Sequence, residues 1–406
     1  MAEPVRYRFG DPSRVGVILG MSLRQTVPIV AGVLWLTLML VVGLPLLGAI
    51  GPLVGLILSL GRWKRAPLHD VARPGLALTA RRIVGTATWR RQSLRTRPVT
   101  DGDVPLVLRG LEIVDTEVVW HARPTVVGVI RDRAAGTLSM VIPITGGGFP
   151  VASPVEQDGI VAAWGAALAP VARARCPISR VTWQEWCHPV GVDGHRRFLT
   201  ATGRSRTHNA ANDDYARLLT ELGPYTVAHD VHLTLTADLR RVRGRRGRPA
   251  VEAGIEALVD EARQLAARLE TGGFSVDTPL SAAALVAVVR WRSDPAHQTT
   301  TRRSLAEAVG HSTGEWGPMA VEPNWFETRV DGSWHRSFAV AGWPMLPVPA
   351  DWMSPLLTGD DATRTVTVVL EPVPLAAAAQ DANRQLTSIE ADHEQKERHG
   401  FRLTAR

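Results

Sequence analysis

Lysine is nearly absent from this chain of 406 residues: Lys64 and Lys396 are the only two among 46 lysines and arginines. A phosphate-binding loop of the form G-x-x-x-x-G-K-[ST] needs a lysine directly after its second glycine. Trp63 precedes Lys64 and Gln395 precedes Lys396, so the chain has no such loop and is not expected to hydrolyse ATP alone. Cysteine is equally scarce. Cys176 and Cys187 are too few for a disulfide framework, and two free thiols in a reducing compartment are expected. The net charge of +7 is nearly all arginine, which reads as a GC-rich bacterial genome before it reads as chemistry.

Charge of either sign is missing from residues 26–60, "TVPIVAGVLWLTLMLVVGLPLLGAIGPLVGLILSL". One span needs about 20 apolar residues to cross roughly 30 Å of hydrocarbon. Gly43, Pro45, Gly48, Gly51 and Pro52 divide the run, so spans at about 27–42 and 46–61 are expected, with one long kinked helix as the alternative. Arginines flank both ends: Arg6, Arg8, Arg14 and Arg24 before, and Arg62, Arg65, Arg73, Arg81, Arg82, Arg90, Arg91, Arg95 and Arg97 after. Because basic residues near membrane ends stay in the cytoplasm, a hairpin with both termini inside satisfies both flanks. The expected location is the bacterial inner membrane.

The pattern divides the chain into residues 1–65 with the hairpin, a basic juxtamembrane segment at 66–103, a first α/β lobe at 104–238, an arginine-rich hinge at 239–250 and a second lobe at 251–406. In the first lobe, "LVLRGLEIVDTEVVW", "PTVVGVIRD", "GTLSMVIPI", "ISRVTWQEW" and "TVAHDVHLTLTA" are strand-like. A helix begins at Ser153 and Pro154, an N-cap residue followed by proline at the first helical position. In the second lobe, a helix over 251–270 precedes the order β-α-β-β-α-β, the split arrangement of a ferredoxin-like unit, with Asp331-Gly332 as a hairpin turn. The expected fold class is thus membrane-anchored α+β, a transmembrane hairpin followed by two cytoplasmic α/β lobes. "FRLTAR" at 401–406 reads as the start of another strand.

Chemical motifs are few. The glycine run of "ITGGGFPV" reads as a strand-ending turn rather than a phosphate cradle. In "HDVH", His229 and His232 are three apart and point to opposite faces of a strand, so they are not expected to share a metal. Cys187 and His188 in "WCHP" alternate in the same way, and a Cys/His nucleophilic pair would have to come from distant residues. Trp183, Trp186, Trp325, Trp334 and Trp343 read as core or interface anchors before they read as nucleic-acid stacking platforms. No catalytic, cofactor-binding or metal-ligating residue is assigned. The candidates for lipid or nucleic-acid contact are Arg81, Arg82, Arg90 and Arg91 beside the hairpin and Arg240, Arg241, Arg243, Arg245, Arg246 and Arg248 in the hinge.

Taken together, "YRFGDPSRVGVILG" before the hairpin, "VGVIRDRAAGTLSMVIPITGGGFPVASPVEQDGIVAAWGAALA", "YTVAHDVHLTLTAD", "HRSFAVAGWP" and "VTVVLEPVP" resemble the actinobacterial integral membrane proteins of conjugative transfer and type IV secretion loci. In that family a PrgI-like hairpin is joined to a region similar to the N-terminal, non-ATPase part of the secretion hub ATPase. The resemblance implies a non-enzymatic subunit of a hetero-oligomer. It would anchor at the membrane, with anionic lipid as a further contact, and dock a separate motor ATPase. It also implies further α/β sequence after Arg406. The EccE-like component of type VII secretion has a similar plan, and a membrane-tethered protein contacting DNA through the hinge is the alternative from another class.

Overall fold

The structure is a computed structural model that describes residues 5–7, 9, 23–63, 66–91, 104–146, 148–203, 210–223, 226–242, 250–295, 317–340, 342–344, 346–358, 363–380, 382–383 and 386–387. It divides into two compact units, one of Met1–Tyr7, Leu106–Gly317 and Val348–Arg406, the other of Arg8–Pro105 and Pro318–Pro347.

The smaller unit opens with α1 (Leu23–Val41) and α2 (Pro45–Leu60), an antiparallel pair joined through Gly43 at φ +81°. Its glycines set the crossing. A Cβ on Gly32 would lie 2.5 Å from the Gly51 carbonyl oxygen, and one on Gly55 would lie 2.4 Å from that of Pro28, so only glycine permits this approach. The expected helices therefore form, but the expected membrane hairpin is corrected: among the described residues no helix is long and apolar enough to cross a membrane. The 16 residues of α2 rise only about 24 Å, and α1 becomes continuously apolar only at Val27, after Arg24 and Gln25, leaving about 22 Å. Both fall short of roughly 30 Å of hydrocarbon.

Short strands β1 (Arg62–Trp63) and β2 (Ala66–Pro67) lead into α3 (Leu68–Ile83), followed by β3 (Trp89–Arg90). Arg81 and Arg82 occupy the last turn of α3, where cations suit the negative end of the helix dipole.

The larger unit is built on β4 (Leu111–Trp120), β5 (Arg123–Asp132) and β6 (Thr137–Thr145), then α4 (Pro154–Leu168) and β7 (Ile178–Pro189). After α5 (Asp193–Ala201) and α6 (Ala210–Leu222) come β8 (Val227–Asp238), α7 (Ala250–Thr271), β9 (Ser275–Val276) and α8 (Ala282–Ser293). The small unit then takes β10 (Ala320–Pro323), β11 (Thr328–Val330) and β12 (Ser333–His335), and the chain returns through α9 (Ser354–Thr358) to β13 (Arg364–Leu370).

The large sheet is antiparallel in the order β13-β7-β8-β6-β5-β4, with β9 also paired to β6. β5 and β6 pair only at residues 130–132 and 137–139, and residues 275–280 enter the gap above. There Asp277 and Leu280 donate their N–H groups to the carbonyls of Pro143 and Val141, and Gly128 N–H donates to Leu280. Leu138, Met140, Ile142, Leu233, Leu235 and Ala237 share one face of β6 and β8 and meet Leu258, Ala262, Leu265 and Leu269 of α7, which recur at helical spacing. The opposite face receives α8 against β4 and β5, where Asp115 Oδ1 accepts from Ala282 N–H at 2.9 Å.

The ferredoxin-like lobe is the second correction. β9 pairs with β6 and β13 with β7, completing the sheet begun at residue 111, while β11 and β12 form a separate four-stranded sheet with β10 and β3. Between α8 and α9 the described residues hold three strands, β10, β11 and β12, where two were expected, and the pairing of β9 and β13 is nonlocal. The smaller features hold. Ser153 and Glu156 form a reciprocal capping box with Pro154 at the first helical position, and Asp331-Gly332 joins β11 to β12 with Val330 opposite Ser333.

Candidate functional site

The polar residues of the large sheet collect where β7 ends and β8 begins, and pleating sorts them onto two faces. Trp186 is opposite Asp230 and Gln184 opposite His232 on one face; Cys187 is opposite His229 on the other.

On the first face, Arg292 of α8 donates to Gln184 Oε1 and to His232 Nδ1, both at 2.5 Å, and its guanidinium lies 5.6 Å from the Trp186 ring centre. Trp186 stacks on His188 at 3.9 Å, and His188 Nε2 is 3.1 Å from Asp230 Oδ2. Burial first, and the Arg292 charge second, push His232 down to about 4, so its ring is neutral and accepts from Arg292. Burial also brings Arg292 down to about 10, partly offset by the Asp230 carboxylate. This network holds no nucleophile. The two hydrogen bonds of Arg292 to Gln184 and His232 tie α8 to β7 and β8, while its Nε is buried without a partner.

On the second face, Glu185 and Cys187 are two apart on β7 and so project together, and His229 joins them from β8. His229 Nδ1 is 2.6 Å from Glu185 Oε1 and 3.3 Å from Cys187 Sγ; Sγ is 3.7 Å from Oε1. Sγ also donates to the Leu357 carbonyl at 3.5 Å, which accepts from Arg364 Nη2 at 2.7 Å. Burial, then the Glu185 charge, push the Cys187 thiol up, while Arg364 pulls it down. Cys187 and Glu185 are buried and His229 is exposed. A protonated thiol of raised pKa is a poor nucleophile. As ligands, though, thiol, imidazole and carboxylate form the one group of metal-binding type found among the described residues.

The expectation that His229 and His232 face apart agrees with this geometry. The convergence of Cys187 with His229 was not foreseen, because it depends on the register of strands 42 positions apart. Only the alternation of polar with apolar residues in both strands hinted at it.

The arginine candidates are dispersed. Arg81 is exposed at the end of α3. Arg82 donates to Pro323 O and Asn324 Oδ1 and lies over Trp325; Arg90 pairs with Glu322 at 2.6 Å; Arg91 Nη1 contacts Met319 Sδ at 3.7 Å. Arg240 is held by both carboxylate oxygens of Asp238, and Arg241 donates to Ile178 O at 3.3 Å. Arg243, Arg245, Arg246 and Arg248 lie outside the described residues. At the end of the glycine run, Gly148 has φ +67° and opens a short 3-10 helix at Phe149–Val151. Cys176 lines a groove of about 650 Å³ whose Arg173, Arg241, Glu256 and Asp260 mix both charges, and burial pushes its thiol up as well.

Comparison with protein-family models, with curated proteins and with solved structures finds no match to this chain.

Proposed function

We propose that the protein is a non-enzymatic structural subunit of a conjugative, type IV-like secretion apparatus that docks a separate motor ATPase. It works at the inner membrane with both termini on the cytoplasmic side, held there by its partners. The observation that carries this reading is the surface of the α1–α2 hairpin. Val30, Leu34, Leu38, Val41, Leu46 and Leu53 are all more than half exposed, on two helices that meet where glycines of each face Pro28, Trp35, Leu36 and Met39 or one another. An apolar surface of this extent marks an interaction site, because single exposed hydrophobes are ordinary and contiguous sets are not. Other subunits of the apparatus cover it. The missing lysine loop supports the reading by leaving energy transduction to a partner.

The DNA-contacting alternative draws no comparable support. Two of its six hinge arginines, Arg240 and Arg241, are already engaged by Asp238 and by the Ile178 carbonyl.

The test is purification from the native host of the full chain and of a variant with Leu34, Leu38, Leu46 and Leu53 replaced by serine. The wild type should carry a motor ATPase in stoichiometric amount, and the variant should lose it while remaining folded. Retention of the motor by the variant would remove the hairpin from the interface.

A further inference from the structure

We propose that Glu185, Cys187 and His229 bind a divalent transition-metal ion of the zinc class, with the Leu357 carbonyl or a water in the fourth position. The three side chains already stand close to the geometry of such a centre. Around tetrahedral zinc, with bonds of about 2.3 Å to sulfur and about 2.0 Å to nitrogen or oxygen, neighbouring ligand atoms lie about 3.3–3.5 Å apart. Cys187 Sγ is 3.3 Å from His229 Nδ1, 3.7 Å from Glu185 Oε1 and 3.5 Å from Leu357 O. Among the three side-chain ligands, the Nδ1 to Oε1 separation, 2.6 Å, must lengthen, and it does so when the metal displaces the hydrogen bond between them.

The donor set is specific. One thiolate, one imidazole and one carboxylate suit zinc or cobalt, and the thiolate disfavours magnesium and calcium, which take oxygen ligands. Binding releases the Cys187 thiol proton to solvent, and His229 ligates through an unprotonated Nδ1 as the neutral Nε2–H tautomer, the proton of the former Nδ1–Glu185 hydrogen bond being exchanged through solvent. Two anionic ligands then offset the ion's double charge. Arg364 contributes in two directions: its positive charge favours the thiolate and opposes the cation, and its Nη2 is directed to the Leu357 carbonyl. Rigid elements hold the ligands, since Glu185 and Cys187 stand on an inner strand and His229 directly across from Cys187. Through Leu357 the ion would tie the end of α9 to the sheet just before edge strand β13.

Cobalt(II) titration of the chelator-treated full chain tests this. Expected is saturation at one equivalent, with a thiolate-to-cobalt charge-transfer band and the strong visible bands of four-coordinate cobalt, both displaced by zinc. His229→Gln, at an exposed position where misfolding is not expected, should weaken binding by at least tenfold. Cys187→Ser should abolish the charge-transfer band, and Cys176→Ser should leave it intact. Absence of the band in the wild type, or its persistence at full strength in Cys187→Ser, would overturn the proposal.

Discussion

Cys187 and His229 sit directly opposite each other on neighbouring antiparallel strands, with Sγ 3.3 Å from Nδ1 and the Glu185 carboxylate against both. Cys187 is buried to 1% exposure, and burial and Glu185 hold its thiol protonated. The metal-free native protein should therefore give no fast-reacting thiol with a disulfide reagent at neutral pH, whereas the denatured chain gives two. A rapid native reaction lost in Cys187→Ser would show an activated nucleophile instead.

Acid should weaken the fold through His232. Its folded value, about 4, lies below the unfolded value of 6.5, so between those limits the unfolded state binds the proton and the native state does not. Stability falls as pH drops through that window, by a total on the order of 3 kcal/mol at most. Urea midpoints at pH 7 and pH 4.5 measure it, and His232→Gln should flatten the difference. An unchanged slope in the variant would place the acid sensitivity elsewhere.

Gly128 lies under α8, and an added Cβ would meet Ala282 N at 2.7 Å and Ser281 C at 2.8 Å. Backbone cannot swing aside, so Gly128→Ala should cost about 1–3 kcal/mol by denaturant titration. At Gly254 the closest atoms are the side-chain ends of Leu239 and Leu138, which can shift. Gly254→Ala is expected to cost less, and the reverse order would contradict the packing of α8.

Leu265 is fully buried where α7 meets the sheet. Leu265→Ala should destabilise the large unit by about 2–5 kcal/mol, through lost transfer energy and the cavity left behind. A change near zero would mean that α7 does not cover this core.

Local features were legible in the sequence for physical reasons. Ser153 and Pro154 carry a helix start in two side chains, Asp331-Gly332 carries a turn, and the spacing of Leu258, Leu265 and Leu269 carries a helix face. The break between β4 and β5 was read, but the conformation of its turn was hidden, since His121 and Ala122 adopt positive φ without the glycine or asparagine that usually signals it. The membrane hairpin was misread because, once the run divided at Gly43, two segments of about 16 residues were accepted as spans on their lack of charge and their arginine flanks; α2 and the apolar part of α1 are each too short. The ferredoxin-like lobe was misread because residues 275–280 pair with strands more than a hundred positions earlier. The candidate metal centre shares that difficulty: Glu185 and Cys187 reach His229 only once the register of β7 and β8 is set.

The docking reading is tested most directly by mild-detergent affinity purification of the full chain from its native host, with mass spectrometry of what co-elutes and an ATPase assay of the eluate. The account predicts a separate motor ATPase in stoichiometric amount, with all ATP turnover assigned to it. A protein that elutes alone and turns over ATP itself would contradict it.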